Sequence, residues 1–184
     1  HPPPRPNRPA QLCPLGQLRQ ASPWPEVTLF SGSMLRPAIQ ERVREFEERE
    51  GCRVNTVFEG CGTLVAQMDA GATPAGYFAC DTKFLNKVQD RFFTGRIMTR
   101  NEIVLLVRMG NPKELFKLKD LGKPGVKLGI CDGRKSALGE LTRIMLERRG
   151  LAKELEVNVA VKVAKGDDLV SAVQARSLDA ALVY

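Results

Sequence analysis

Val27-Thr28-Leu29-Phe30-Ser31-Gly32-Ser33-Met34 joins two signals in eight residues. Val27 to Phe30 carries the β-branched, aliphatic and aromatic side chains of a short strand, and Ser31-Gly32-Ser33 reads as a turn. A helix is predicted from Ala38 to Glu50, because Ile39, Val43 and Phe46 recur at i, i+4 and i+7. Glu41, Arg42, Arg44, Glu45, Glu47, Glu48 and Arg49 cover its other face. Both signs alternate there, which marks a solvated surface rather than a nucleic-acid patch. Gly51 then stands where a helix ends in the left-handed conformation.

The same unit repeats outward from this stretch. A strand is expected over Arg53–Phe58, and Gly60-Cys61-Gly62-Thr63 opens a helix carrying Leu64 and Met68 on one face, stopped by Gly71. Tyr77–Cys80 reads as a short buried strand and Thr82–Val88 as a short helix. Ile103–Val107 is an uninterrupted apolar run, expected as a fully covered strand and broken by Gly110-Asn111-Pro112. Lys127–Cys131 is a strand, Ser136–Arg149 a long helix and Val157–Val163 a strand. Asp167–Arg176 is a helix and Ala180–Tyr184 a last strand. Strand and helix alternating at this spacing indicate an α/β fold with largely parallel sheets. The 184 residues suit one domain or two at most, and 43% hydrophobic with 27% charged residues is an ordinary globular balance. No stretch approaches the ~20 apolar residues of a membrane span. The net charge of +7 is scattered along the chain rather than clustered, which disfavours nucleic acid as a partner.

Residues 1–26 differ in texture. Pro2, Pro3, Pro4, Pro6, Pro9, Pro14, Pro23 and Pro25 preclude helix and central strand, so an extended, disordered linker is expected. The stretch holds no apolar signal-peptide core, and the residues before Cys13 lack the small side chains that precede a lipidated cysteine. The sole histidine is His1, which rules out His-based triads and His-ligated zinc within the fold.

In an open α/β sheet, ligands bind at the carboxyl ends of strands near helix N-termini. Three turns qualify: Ser31-Gly32-Ser33-Met34, Gly60-Cys61-Gly62-Thr63, and Cys131-Asp132-Gly133 to Ser136. Their exposed N–H groups and the helix dipole would suit an anion. No dinucleotide fingerprint or phosphate-binding loop is present. The cysteines are Cys13, Cys52, Cys61, Cys80 and Cys131, with no Cys-x-x-Cys pair, so neither a zinc site nor a redox motif is indicated. Cys80 and Cys131 are expected to be buried packing residues in apolar strands. Cys61, at a helix start, should have a lowered pKa; it is either a small turn residue or a reactive thiol or ligand contact. Without an internal histidine or paired carboxylates, the chain reads as a binder rather than an enzyme.

From Val27 to Tyr184 the chain resembles the periplasmic molybdate-binding proteins of ABC importers. The resemblance rests on Leu29 to Pro37 with its Gly32-Ser33-Met34-Leu35-Arg36-Pro37 pattern, on Phe58 to Leu64 with Gln67 and Gly71, and on Pro74 to Asp81. Arg100 to Leu105 with Gly110-Asn111-Pro112-Lys113, and Leu178 to Tyr184, follow in the family's order. The resemblance implies a class II periplasmic-binding fold, two α/β lobes closing on a tetrahedral oxyanion, molybdate or tungstate. The first lobe would span 27–102 and the second 103–184. In the family the chain returns to the first lobe after the tyrosine strand, so the sequence is expected to be incomplete beyond Tyr184. Carried over by position, the ligand contacts fall at Ser33 or Met34, Cys61, Leu138, Gly166 and Tyr184, with no metal bound directly by protein and no cofactor. Two positions depart from the family pattern. Met34 stands where the family has a serine and cannot donate through its side chain, and Cys61 replaces another serine with a weaker donor. Leu138 and Gly166 would act through backbone N–H.

The implied function is that of a monomeric, periplasmic or extracytoplasmic solute-binding component that delivers its anion to a membrane permease and its ATPase. Other readings of the same architecture are the effector-binding domain of a transcriptional regulator, an enzyme such as a transferase, or a degenerate homologue binding another anion.

Overall fold

The computed structural model describes residues 24–184. The proline-rich stretch to Pro23 and Cys13 lie outside the described residues, so the linker expectation stands without a structural counterpart. The first sheet is parallel. β1 (Glu26–Gly32) lies between β2 (Arg53–Glu59) and β3 (Gly76–Phe78). Phe30 stands opposite Val57 on one side and Tyr77 on the other. The crossover from β1 to β2 is a 3-10 turn, Ser33–Leu35, followed by α1 (Arg36–Glu50). Gly51 caps α1 at φ +61°, the left-handed conformation that glycine adopts without a Cβ penalty. α2 (Cys61–Asp69) joins β2 to β3, and α3 (Thr82–Asn86) follows, its N-cap Asp81 accepting from the Lys83 N–H at 2.7 Å.

The second sheet has the order β4 (Val104–Val107), β7 (Ala180–Val183), β5 (Leu128–Cys131), β6 (Val159–Val163). β5 pairs in parallel with β6 and β7, and β4 runs antiparallel to β7. α4 (Ala137–Arg148), α5 (Ala152–Glu156) and α6 (Gly166–Gln174) complete this half. β7 is buried throughout because it lies inside the sheet and under α6. Asp179 pins its entry: Oδ2 accepts from the Lys127 N–H at 2.9 Å and Oδ1 from Arg108 Nη1 at 3.1 Å. Burial opposes ionisation of Asp179, but the Lys127 N–H and Arg108 outweigh it and hold its carboxyl below the usual range.

Three apolar clusters form the core. Phe30, Leu64, Met68, Phe84 and Val88 fill the space beside the first sheet. Leu121, Leu128, Leu146, Leu155 and Leu182 fill one side of the second. Cys131, Leu138, Leu169, Val173 and Ala181 fill its other side. The two halves interlock, since Ala137 of α4 belongs to the first cluster and Met34 packs on the third.

The structure corrects four expectations. The Ile103–Val107 run is not fully covered, because β4 is an edge strand and Val104 is 48% exposed. The strand expected from Val157 begins at Val159; the chain leaves α5 there and Val157 points to solvent. The helix α1 buries no residue fully, and Phe46 is exposed, because a three-stranded sheet offers its apolar face little surface. The third strand stops at Phe78, which puts Cys80 beyond it in the turn that leads to α3. Among the described residues, no helix is long and apolar enough to cross a membrane.

Candidate functional site

Parallel pairing fixes which residues meet. β1, β2 and β3 end together, presenting Ser33-Met34, Gly60-Cys61 and Cys80 along one edge. β5, β6 and β7 end together on the other sheet, presenting the turn from Cys131 to Ser136, Ala164-Lys165-Gly166, and Tyr184. These two sets of strand ends face each other, the location at which α/β sheets bind ligands.

The six residues singled out in the sequence converge there. Ser33 and Cys61 are buried, at 4% and 1% exposure. Leu138 and Gly166 are buried at the starts of α4 and α6. Met34 packs directly over Gly166, where a Cβ would collide with its thioether and stand 3.4 Å from Leu138 Cδ2. Tyr184 packs on the cluster that holds Leu138, and its hydroxyl is buried without a hydrogen-bond partner. Burial, followed by the influence of Cys80 and Cys61, raises the pKa of Tyr184, so it remains a neutral phenol.

The loops of the two halves touch. The Gly62 N–H donates to Lys135 O at 2.9 Å, and the Thr63 N–H donates to the same oxygen at 3.3 Å. Two of the donors expected to be open at the Gly60–Thr63 turn, those of Gly62 and Thr63, are therefore engaged by the opposite loop. A Cβ on Gly60 would stand 2.5 Å from Ala164 O, and one on Gly62 would collide with Arg134 O, so glycine at both positions permits this approach. The turn after β5 satisfies itself: Asp132 Oδ1 accepts from the Arg134 N–H at 2.8 Å, and Asp132 O accepts from the Ser136 N–H at 2.9 Å. Three ion pairs span the same junction: Lys83 to Glu140 at 2.6 Å, Arg36 to Asp167 at 3.8 Å and Lys165 to Glu59 at 3.9 Å.

Cys80 was expected to be a packing residue within a strand. Instead, its thiol sits with that of Cys61 over the Cα of Gly32, where a Cβ would collide with Cys80 Sγ and lie 3.1 Å from Cys61 Sγ. The Cys80 N–H donates to Cys61 Sγ at 3.3 Å. The Cys80 thiol donates to it too, and with help from the Cys80 N–H and Tyr77 this outweighs burial, bringing the Cys61 thiol down to about 7. The lowered value matches the expectation, although the largest cause is a neighbouring thiol. As the donor of the pair and a partly buried group, Cys80 is pushed well up. Burial carries Cys131 up to about 11, in keeping with a packing residue. The signal for Cys80 was present in the sequence, since a third parallel strand must deliver its end to the edge that carries Cys61.

The family described as bacterial extracellular solute-binding protein has a profile that matches residues 27–184. A molybdate-binding protein of Mycobacterium bovis is 26% identical over 162 residues, covering 86% of this chain and 60% of that protein. The chain spans about 60 to 65% of the length of the curated relatives it matches. Among solved structures, the periplasmic molybdate-binding protein of Azotobacter vinelandii superposes with a TM-score of 0.67 at 16% identity, over 85% of this chain and 70% of that one. The sulfate-binding protein SubI of Mycobacterium tuberculosis superposes with a TM-score of 0.71 at 16% identity, over 87% and 64%. The fold is thus that of the class II periplasmic binding proteins.

Proposed function

The chain belongs to the bacterial extracellular solute-binding proteins, and we propose that it captures a tetrahedral oxyanion of the molybdate and tungstate class between its two sheets. The lobes on this reading are 27–102 and 103–184. Ser33, the backbone at Met34 and Cys61, the N–H groups of Leu138 and Gly166, and the Tyr184 hydroxyl surround the anion. It is bound as cargo rather than as a cofactor, in the periplasm or another extracytoplasmic space. A membrane permease driven by an ATPase receives it from the monomeric protein.

The observation that carries the reading is the Tyr184 hydroxyl, a buried donor without a partner at the meeting of both sets of strand ends. A buried hydroxyl left unpaired costs about 1–3 kcal/mol, which an accepting oxyanion offsets. The molybdate-binding relatives support the choice of anion. The engaged Gly62 and Thr63 donors imply that the halves must part before a ligand enters.

The test is thermal unfolding of the full chain with molybdate, tungstate, sulfate and phosphate at equal concentration. Ligand at a hundred times Kd stabilises by about 2.7 kcal/mol, a rise of several degrees. A rise with molybdate and tungstate is expected. A response to sulfate alone reassigns the anion, and no response to any of the four overturns the reading.

A further inference from the structure

The feature that an oxyanion site leaves unexplained is the pair of thiols on the first sheet. Cys61 opens α2 and Cys80 follows β3, nineteen residues apart in sequence and adjacent in space. Both sulfurs lie within 3.1 Å of the position a Cβ would take on Gly32, and the glycine leaves that position open. Both are free thiols. Cys61 is buried and Cys80 is half-buried.

We propose that Cys61 and Cys80 form a two-coordinate site for a soft monovalent d10 cation, Cu(I) or Ag(I). Thiolate sulfur selects such ions over hard ones. Among the described residues, no group of three or more His, Cys, Asp or Glu side chains is placed to hold a metal. That disfavours the tetrahedral set zinc requires and leaves the linear S–M–S arrangement that soft monovalent ions accept. The charges acting on Cys80 agree in sign, since Asp81 and Asp167 are the carboxylates beside it. One oxygen of Asp167 is buried and unpartnered, although Arg36 stands 3.8 Å from the other. A negative surrounding attracts a cation.

Binding is a ligand exchange without electron transfer. Each sulfur forms a bond to the ion as its S–H bond breaks, and two protons pass to solvent. The cation and two thiols become a bis-thiolate complex of charge −1. Both ligands belong to the first half, and their pairing does not rest on the oxyanion reading.

The experiment titrates the reduced full chain with Cu(I) under anaerobic conditions against a competing chromogenic chelator. One Cu(I) per chain is expected to be withdrawn. Cys61→Ser and Cys80→Ser should each weaken binding at least tenfold, while Cys52→Ser, remote from the pair, should retain it. Circular dichroism checks that each variant folds. X-ray absorption on the loaded wild type, which needs no variant, should show two sulfur neighbours at the copper. No withdrawal of copper overturns the proposal. So does wild-type affinity in folded Cys80→Ser, or a copper shell of nitrogen or oxygen.

Discussion

The Gly62 N–H donates to the carbonyl oxygen of Lys135 at 2.9 Å, tying the start of α2 to the loop before α4. A peptide donor that could face an anion is thereby committed to the opposite half. The hydrogen bond depends on the missing Cβ, which would collide with Arg134 O. Gly62→Ala should push the loops apart, because a carbonyl in a backbone turn cannot swing aside as a side chain does. The expected results are a larger scattering radius, faster amide exchange at positions 62 and 63, and a stability loss of about 1–3 kcal/mol. An unchanged radius and melting temperature would show that the contact does not hold the halves together.

Glu140 forms a second tie across the junction. Its carboxylate accepts from Arg143, one turn along α4, and from Lys83 on α3. Arg143 first and Lys83 second bring it down to about 2 from an ordinary value of 4.5. A depressed carboxylate stabilises the folded state fully above its unfolded pKa and loses that contribution as pH falls through the folded one. The loss therefore develops between pH 4.5 and about 2. Lys83 is half exposed, so solvent screens the pair. Glu140→Gln should cost about 0.5–1 kcal/mol at neutral pH and flatten the acid limb of the stability curve. Denaturant melts over that pH range measure both effects, and a variant curve parallel to wild type would exclude the tie.

Tyr184→Phe separates stability from binding. The hydroxyl is buried and has no hydrogen-bond partner. Its removal should leave the melting temperature unchanged or raise it, since an unsatisfied polar group is lost. The same variant should weaken the oxyanion response at least tenfold, as read by calorimetric titration with molybdate. Retained affinity would place the anion away from this hydroxyl.

The Cys61 thiol should titrate near 7, followed by ultraviolet thiolate absorbance. Its ordinary value is 9.0, and the Cys80 thiol is the largest cause of the drop. Cys80→Ala removes that donor and should move the midpoint upward toward the ordinary value. Because the folded pKa is depressed, this group adds stability as pH rises from about 7 to 9 and withdraws it on the way down. A midpoint unmoved by Cys80→Ala would assign the shift to another cause.

Most of the chain's order was legible from local signals. The i, i+4, i+7 spacing located α1, but its half-bare apolar face was not foreseeable, because the width of the opposing sheet is not encoded in the helix. The apolar run at Ile103–Val107 gave a strand correctly and its coverage wrongly, since an edge position is a property of strand order. Cys80 looked like a strand residue until the strand ended two residues earlier.

The sequence by itself determined the α/β alternation, the glycine turns at strand ends and the candidate residues Ser33, Met34, Cys61, Leu138, Gly166 and Tyr184. The alternation and the turns follow from side-chain periodicity and backbone freedom, which act over a few residues, whereas the candidate residues follow from the resemblance to the molybdate-binding proteins. Tertiary structure alone decided that Gly62 meets Lys135, that Met34 covers Gly166 and that Cys61 meets Cys80. Those partners are 19 to 132 residues apart in the numbering. Their contact depends on parallel strands ending at a common edge and on two sheets turning those edges toward each other.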